Sequence, residues 1–145
     1  MDLLTSLKIS ASGLAANRKR MGSISSNIAN AQTTKTAEGG PYRRKEVVFG
    51  AEPARESFGE ILEGELDAQA QAVHGTEVVS TNRPPILKYE PNHPDANEQG
   101  YVAYPNINVM EEMANMISAS RSYEANISAI NTTKSMAMKA LEIGN

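Results

Sequence analysis

Apolar residues recur at seven-residue spacing near the beginning of the chain. The stripe consists of Leu7, Leu14, Met21 and Ile28. Further apolar residues fall three or four positions away, and this spacing puts apolar side chains on one face of a helix. We therefore predict an amphipathic helix over residues 3–31, with Asp2 as its N-terminal cap. Residues 32–41 contain three threonines and the turn signal Gly-Gly-Pro, which ends the helix.

A second apolar stripe runs to the end of the chain. It contains Met113, Met116, Tyr123, Ile127, Ile130, Ala137 and Leu141. Asn108 and Glu111 have the spacing of a capping box, so we predict a helix from residue 109 to about residue 143, stopped by Gly144. From the two stripes we select ten residues as the helix-packing and assembly seam: Leu7, Leu14, Met21, Ile28, Met113, Ile117, Tyr123, Ile127, Ile130 and Leu141.

The middle of the chain has shorter and less regular signals. Residues 42–49, 76–81 and 86–89 predict three strands, and residues 90–100 are rich in Pro, Asn and Gly and predict a loop. The capping-box spacing that begins at Ser57 is compatible with either a short helix or a loop.

The predicted fold is α+β and mainly α. The long N- and C-terminal helices pack as an antiparallel coiled-coil pair, and a small β-rich segment lies between them. Residues 1–34 with 106–145 form a terminal helical domain, the axial core, and residues 35–105 form the middle segment. Polar residues interrupt both stripes, and a pair of helices with such a seam is marginal alone. We therefore expect neighbouring copies to complete the packing, and contacts that repeat without closing build a helical filament.

Composition narrows the possible functions. Of the 145 residues only 5% are aromatic and none is Trp, which argues against a large ligand-binding core. The net charge of −3 argues against nucleic-acid binding. The absence of cysteine excludes disulfides, thiolate catalysis and cysteine-based zinc sites. The chain shows no secretory signal and no apolar run long enough for a membrane span, so we expect a cytosolic protein unless an uncleaved export route exists.

The sequence contains few candidates for catalytic or metal-binding residues. His93 and Asp95 could share a metal ion, but an exposed turn histidine is the favoured interpretation because no metal-ligand spacing surrounds them. His74 has no partner in sequence. An acidic run, which we interpret as a solvated face, contains Glu60, Glu63, Glu65 and Asp67. We predict no catalytic residue, no cofactor, no metal site and no enzymatic activity.

Two basic clusters, residues 18–20 and 43–45, lack the stacking aromatic residues of a nucleic-acid site. We interpret them as a solvated face or as intersubunit salt bridges.

The chain resembles a known family through short motifs near both ends. Residues 12–16 read SGLAA, residues 26–31 read SNIANA, and Thr33 follows. These motifs are similar to the N-terminal motif of bacterial flagellar rod and hook axial proteins, and they place Ser12, Gly13, Leu14, Asn27, Ala29, Asn30 and Thr33 among the family positions. Further blocks resemble the type C rod subunits, which belong to the proximal rod. They lie at residues 38–45, 89–96, 100–106, 109–113, 116–123 and 136–141. The resemblance is weakest over residues 52–75.

The resemblance implies a structural subunit of the proximal rod of the flagellar basal body. Such a subunit polymerises through its terminal helices into the torque-transmitting drive shaft around the export channel. It leaves the cell unfolded, through the flagellar type III export apparatus and without a cleaved signal peptide, and assembles in the periplasm. The implied partners are further copies of the chain, other rod subunits, the rotor-ring junction protein and the distal rod.

Two other functions fit parts of the pattern. A cytosolic helical adaptor or export chaperone would have stable terminal helices as a monomer or dimer. A small hydrolase would depend on His93 and nearby acids.

Overall fold

The computed structural model describes residues 3–53 and 71–143. Two long helices lie at the ends of the chain, and four strands lie between them. The elements in chain order are α1 (Leu3–Ala29), β1 (Lys45–Pro53), β2 (Gln71–Ser80), β3 (Ile86–Tyr89), β4 (Tyr101–Tyr104) and α2 (Val109–Ile143). The structure is therefore mainly α, with small two-stranded sheets in the middle, as the sequence predicted.

The two helices pack against each other and run antiparallel. Asn27 near the end of α1 bonds Glu112 near the start of α2, and Gly13 near the start of α1 lies against Asn126. The two contacts are equally far apart on both helices and run in opposite chain directions. This confirms the predicted antiparallel pair.

Eight of the residues of α2 that are sheltered from solvent follow an alternation of four- and three-residue steps, and Asn115 and Ser120 lie beside them. The eight are Glu112, Met116, Ala119, Tyr123, Asn126, Ile130, Thr133 and Ala137. Their spacing is that of a coiled-coil seam. Their residue types are not typical of such a seam, because five of the eight are small or polar. The seam between the helices is therefore narrow and carries little apolar area.

Asn108 caps α2. Its side-chain Oδ1 accepts hydrogen bonds from the backbone N–H groups of Met110, at 3.1 Å, and Glu111, at 3.4 Å. The cap satisfies donors that have no partner within the helix. The predicted start of this helix is confirmed.

The first sheet is the antiparallel pair of β1 and β2, which packs on α1. Lys45 pairs with Ser80 at one end, and the register shifts by one residue between Val48 and Phe49. The predicted strand over residues 42–49 corresponds to β1, which begins at Lys45 and extends to Pro53. The predicted strand over residues 76–81 is the second half of β2.

The second sheet is the antiparallel pair of β3 and β4, with Tyr89 opposite Tyr101. The bounds of β3 are those predicted, whereas β4 had no sequence signal of its own. Gly100 has φ +80, and a Cβ there would lie 2.9 Å from the ring of Tyr89. Glycine is required here for both reasons. The tight turn places Val102 inside, where it is fully buried.

Four interpretations of the sequence fall outside the described residues: the cap at Asp2, the short helix or loop from Ser57, the acidic run of residues 60–67, and the stop of the last helix at Gly144. In the part of the chain that the structure describes, neither helix combines the length and the hydropathy of a membrane span.

Candidate assembly surface and the polar junction

Asn27 occupies the point where α1, α2 and β1 meet. Its side chain is 0% exposed. Its Nδ2 donates to the carbonyl of Lys45 at 2.8 Å and to Glu112 Oε2 at 3.0 Å, and its Oδ1 accepts from the Lys45 N–H at 2.8 Å and from the Tyr42 hydroxyl at 3.2 Å. An amide side chain has two donors and two acceptor sites, and all four are used. Asn27 thus pairs with the backbone of Lys45 as a neighbouring strand would.

Glu112 is the second buried polar group of this junction and is 1% exposed. Besides accepting from Asn27, it accepts a hydrogen bond from Arg44 Nε at 2.8 Å. Arg44 also reaches Glu46 at 3.1 Å. Burial lowers the pKa of the Arg44 guanidinium, but the hydrogen bond and charge of Glu112, together with Glu46, outweigh burial and raise that pKa. The Arg44 guanidinium is therefore charged at neutral pH. We call Asn27, Tyr42, Arg44 and Glu112 the polar junction.

The chain just after α1 is fixed to the polar junction. The Tyr42 hydroxyl donates to Asn27 and lies 3.0 Å from Ser26 Oγ. The backbone N–H of Tyr42 donates to the carbonyl of Thr33, and the Thr33 hydroxyl donates to the side chain of Asn30 at 3.2 Å. These bonds lie at the end of α1 and connect the turn after it to the polar junction. Direct hydrogen bonds therefore join both helices to β1.

The motif residues near the start of α1 also make contacts between elements. The Ser12 hydroxyl donates to the carbonyl of Ile9 at 2.8 Å and accepts from the N–H of Val73 in β2 at 3.2 Å. A Cβ on Gly13 would lie 3.0 Å from Asn126 Nδ2, so glycine permits the close approach of the helices. Leu14 is half-buried and Ala29 is exposed.

The predicted seam residues divide into two groups. The half-buried group is Leu7, Leu14, Met21, Ile28, Tyr123 and Ile130. The exposed group is Met113, Ile117, Ile127 and Leu141. The exposed group lies on α2 outside the sheltered stripe, so the chain does not cover it by its own folding. Its role in assembly stays a prediction.

The exposed group belongs to a longer surface row on α2. On one face of the helix, the row includes Met110, Met113, Ile117, Ile127, Met138 and Leu141. Polar residues interrupt the row between Ile117 and Ile127 and between Ile127 and Met138. Met110 is 74% exposed, Ile117 58% and Leu141 70%. We call this row the α2 surface stripe. An exposed apolar stripe of this length is typical of a protein–protein contact.

The residues considered for catalysis form a local turn. The backbone N–H of Asp95 donates to His93 Nδ1 at 3.1 Å, and the side chains lie 4.0 Å apart. The hydroxyl of Thr34 donates to the same Asp95 at 2.7 Å. His74 lies within β2. Across residues 3–53 and 71–143, no three acidic or histidine side chains converge on a possible metal position.

Sequence reasoning missed Glu112, Arg44 and Tyr42 as a unit. No role is predicted for Glu112 from the sequence, and Arg44 is predicted only as part of a basic cluster. The phase of the stripe was the available signal, because a heptad step back from Ala119 reaches Glu112 and places this carboxylate on the covered face.

Comparison with known proteins agrees with this arrangement at both ends of the chain. The family model "Flagella basal body rod protein" matches residues 7–35. The model "Flagellar basal body rod FlgEFG protein C-terminal" matches residues 98–143. The first match covers most of α1 and the turn after it, and the second covers β4 and α2.

Full-length relatives are also similar. The flagellar basal-body rod protein FlgC of Bacillus subtilis is 44% identical over 99% of this chain and 99% of its own length. The FlgC protein of Borreliella burgdorferi is 42% identical over 99% and 98% of the two chains, and that of Salmonella typhimurium is 42% identical over 99% of both. The chain therefore belongs to the FlgC family of flagellar basal-body rod proteins.

Proposed function

We propose that the chain builds the proximal part of the flagellar rod by packing its α2 surface stripe against helices of neighbouring subunits. As a member of the FlgC family, the chain is a structural protein of the basal-body rod and not an enzyme. The family also implies assembly with other rod subunits. We propose that the α2 surface stripe makes this assembly contact and that the assembled subunits transmit torque.

The observation that carries the proposal is the presence of two stripes on one helix. One stripe of α2 is sheltered by the rest of the chain and is rich in small and polar residues. The other, from Met110 to Leu141, contains more of the larger apolar side chains, and these are exposed. A helix with larger apolar residues on its exposed face than its own fold covers is suited to a partner outside the chain.

The polar junction supports a mechanical role. Hydrogen bonds and an ion pair have preferred directions, whereas apolar contacts slide more easily. Asn27 and Glu112 therefore resist rotation of one helix against the other and against β1. We infer that torque applied to the helices of one subunit passes to its sheet, and to the next subunit, without loss of register.

The remaining partners are proposed from the resemblance. The subunit crosses the envelope through the flagellar type III export apparatus and assembles in the periplasm around the export channel. It contacts the rotor-ring junction protein on one side and the distal rod on the other.

Replacing Ile117 by Asp tests the α2 surface stripe. Ile117 is 58% exposed, so the carboxylate disturbs little of the packing within the chain but places an unpaired charge in the proposed contact. We expect motility in soft agar to be lost and the variant to be absent from purified basal bodies. Ile127→Asp should have the same effect.

The matched control is Ser118→Asp. Ser118 is exposed and lies one residue along from Ile117, so it adds the same charge to a different face of α2. Normal rods and swimming with Ile117→Asp and Ile127→Asp would refute the proposed contact. Equal loss with Ser118→Asp would show that charge anywhere on α2 is disruptive.

A further inference from the structure

A cavity of about 340 Å³ lies between the turn after α1 and the segments that come before β3 and after β4. The described part of its wall contains three arginines, Arg43, Arg44 and Arg83, and no acidic side chain. Four prolines stiffen the wall, because each fixes its own φ. We call this the arginine cavity. Neither α1 nor α2 contributes to the described wall, so the cavity is separate from the α2 surface stripe.

Two of the three arginines have no acidic partner among the described residues. Arg44 pairs with Glu112 at 2.8 Å and with Glu46 at 3.1 Å. Arg43 and Arg83 are exposed, and neither forms an ion pair or a hydrogen bond with any residue that the structure describes. The charges of these two guanidinium groups are therefore available to a partner.

A neighbouring cavity of about 430 Å³ brings two carboxylates to the vicinity of Arg83. Its wall contains Glu46 and Glu111 beside Arg83. Glu46 already bonds Arg44, and within the described chain neither carboxylate forms an ion pair with Arg83. These two acids therefore do not use up the positive charge of the arginine cavity.

The hydrogen-bonding groups of the arginine cavity are unbalanced in the same direction. Four backbone carbonyls of the wall already accept hydrogen bonds from the chain: those of Gly40, Arg44, Pro84 and Pro105. The N–H groups of the Arg43 and Arg83 guanidiniums remain available. An ionised carboxylate is an acceptor without donors, and guanidinium groups bind it with paired hydrogen bonds. The cavity is therefore suited to a carboxylate.

The charge and the family of the chain favour a carboxylate that belongs to a protein. The net charge of −3 argues against binding of a nucleic acid. The relatives are proteins of the flagellar basal-body rod, and assembly of such subunits places protein surfaces against each other.

We propose that the arginine cavity binds an acidic side chain of an adjacent rod subunit through Arg43 and Arg83. The contact lies outside the terminal helices and goes beyond the α2 contact proposed above. It requires only that assembly brings subunits side by side.

A cross-link without a spacer, formed in purified basal bodies, tests this contact. Asn82→Lys places an amine at an exposed position of the wall and keeps all three arginines. A carbodiimide joins an amine to a carboxyl group where the two touch, and mass spectrometry of the linked peptides identifies both residues. We expect a link from position 82 to an Asp or Glu of an adjacent rod subunit, in a product with the mass of two chains.

A second variant supplies the amine without changing the charge of the wall. Arg83→Lys keeps the positive charge at the same position of the chain and should link to the same acidic residue as Asn82→Lys. Agreement between the two variants would locate the carboxylate within the arginine cavity.

Removal of the two available charges tests the chemistry of the contact. Adding Arg43→Gln and Arg83→Gln to the Asn82→Lys chain should lower the yield of the link at least about fivefold, because the carboxylate loses both partners. The matched control adds Lys35→Gln and Lys88→Gln, which remove two positive charges from exposed residues outside the wall. The control should leave the yield unchanged.

Each other outcome refutes the cavity contact. Basal bodies that contain the Asn82→Lys and Arg83→Lys chains without a link at either position would refute it, and so would links only to acids of the same chain. A yield that ignores Arg43→Gln and Arg83→Gln would show chance proximity. These results leave the α2 contact intact, whereas normal rods with Ile117→Asp would refute the α2 contact and leave the cavity contact intact.

Discussion

Glu111 and Glu112 are neighbours in the first turn of α2, yet their surroundings differ completely. Glu111 is exposed, while Glu112 is 1% exposed and bonds Arg44 and Asn27. Glu112→Gln keeps the shape and removes the charge, which leaves the guanidinium of Arg44 without its main partner. We expect assembly to be destabilised by about 1–3 kcal/mol, the usual range for a hydrogen bond to a charged group. The measurement is the temperature at which the subunit leaves isolated basal bodies.

Glu111→Gln is the matched control, because it removes an equal charge from the same positive helix end. The loss of the dipole interaction, about 0.3–1 kcal/mol, is common to both variants. The difference between them therefore isolates the polar junction. Equal dissociation temperatures for the two variants would contradict a structural role of the buried ion pair.

Asn27 is predicted from the sequence only as a position of the family motif. The residues around it in the sequence do not predict that its amide bonds the backbone of Lys45. That bond depends on β1 approaching α1, and partners so distant in sequence are set by the tertiary fold. The same reason explains why the sequence predicts no role for Glu112.

At the scale of elements, the close approach of α1 and α2 depends on Gly13. A Cβ there would lie 3.0 Å from the side chain of Asn126, so a larger residue must displace that side chain or separate the helices. Gly13→Leu should strongly reduce soft-agar motility and the amount of subunit in basal bodies. Overpacking of this kind costs about 1–3 kcal/mol.

A compensating substitution makes the contact testable directly. Asn126→Ala removes the atoms that the new side chain would meet, so Gly13→Leu with Asn126→Ala should regain part of the motility. Asn126→Ala alone should be tolerated. Failure of the double variant to improve on Gly13→Leu would mean that the defect arises elsewhere on α1.

The helices were predictable because long periodic patterns are strong signals. α2 has the predicted bounds, and α1 ends at Ala29, two residues before the predicted end. The strand β4 was not predicted, because its partner β3 lies across a loop and the pairing of the two is set by the tertiary fold. The sequence stripes also predicted helix packing without distinguishing which residues face the chain itself and which face solvent. That distinction requires the position of α1 against α2 and, for α1, the position of β1 and β2.

At the scale of the whole molecule, the apolar core is small. The buried hydrophobic residues of the described chain are Ala16, Ile24, Val47, Val102 and Ala119. Helices as long as α1, with 27 residues, and α2, with 35, derive most of their stability from packing. Two of these five residues are alanines, which bury little apolar area. Packing within the single chain therefore adds little to the stability of the two helices.

We therefore expect the terminal helices of the dilute purified chain to be largely unfolded and to form as copies associate. Circular dichroism at micromolar concentration should show much less helix than α1 and α2 account for in the structure. Backbone NMR should show narrow, poorly dispersed signals from the ends and dispersed signals from the middle.

Raising the concentration until the chain polymerises should increase the helical signal, because neighbours then cover the α2 surface stripe. The Ile117→Asp variant should lack this increase and Ser118→Asp should retain it. Stable helices in dilute monomers that do not polymerise would contradict the idea that the fold is completed by other subunits.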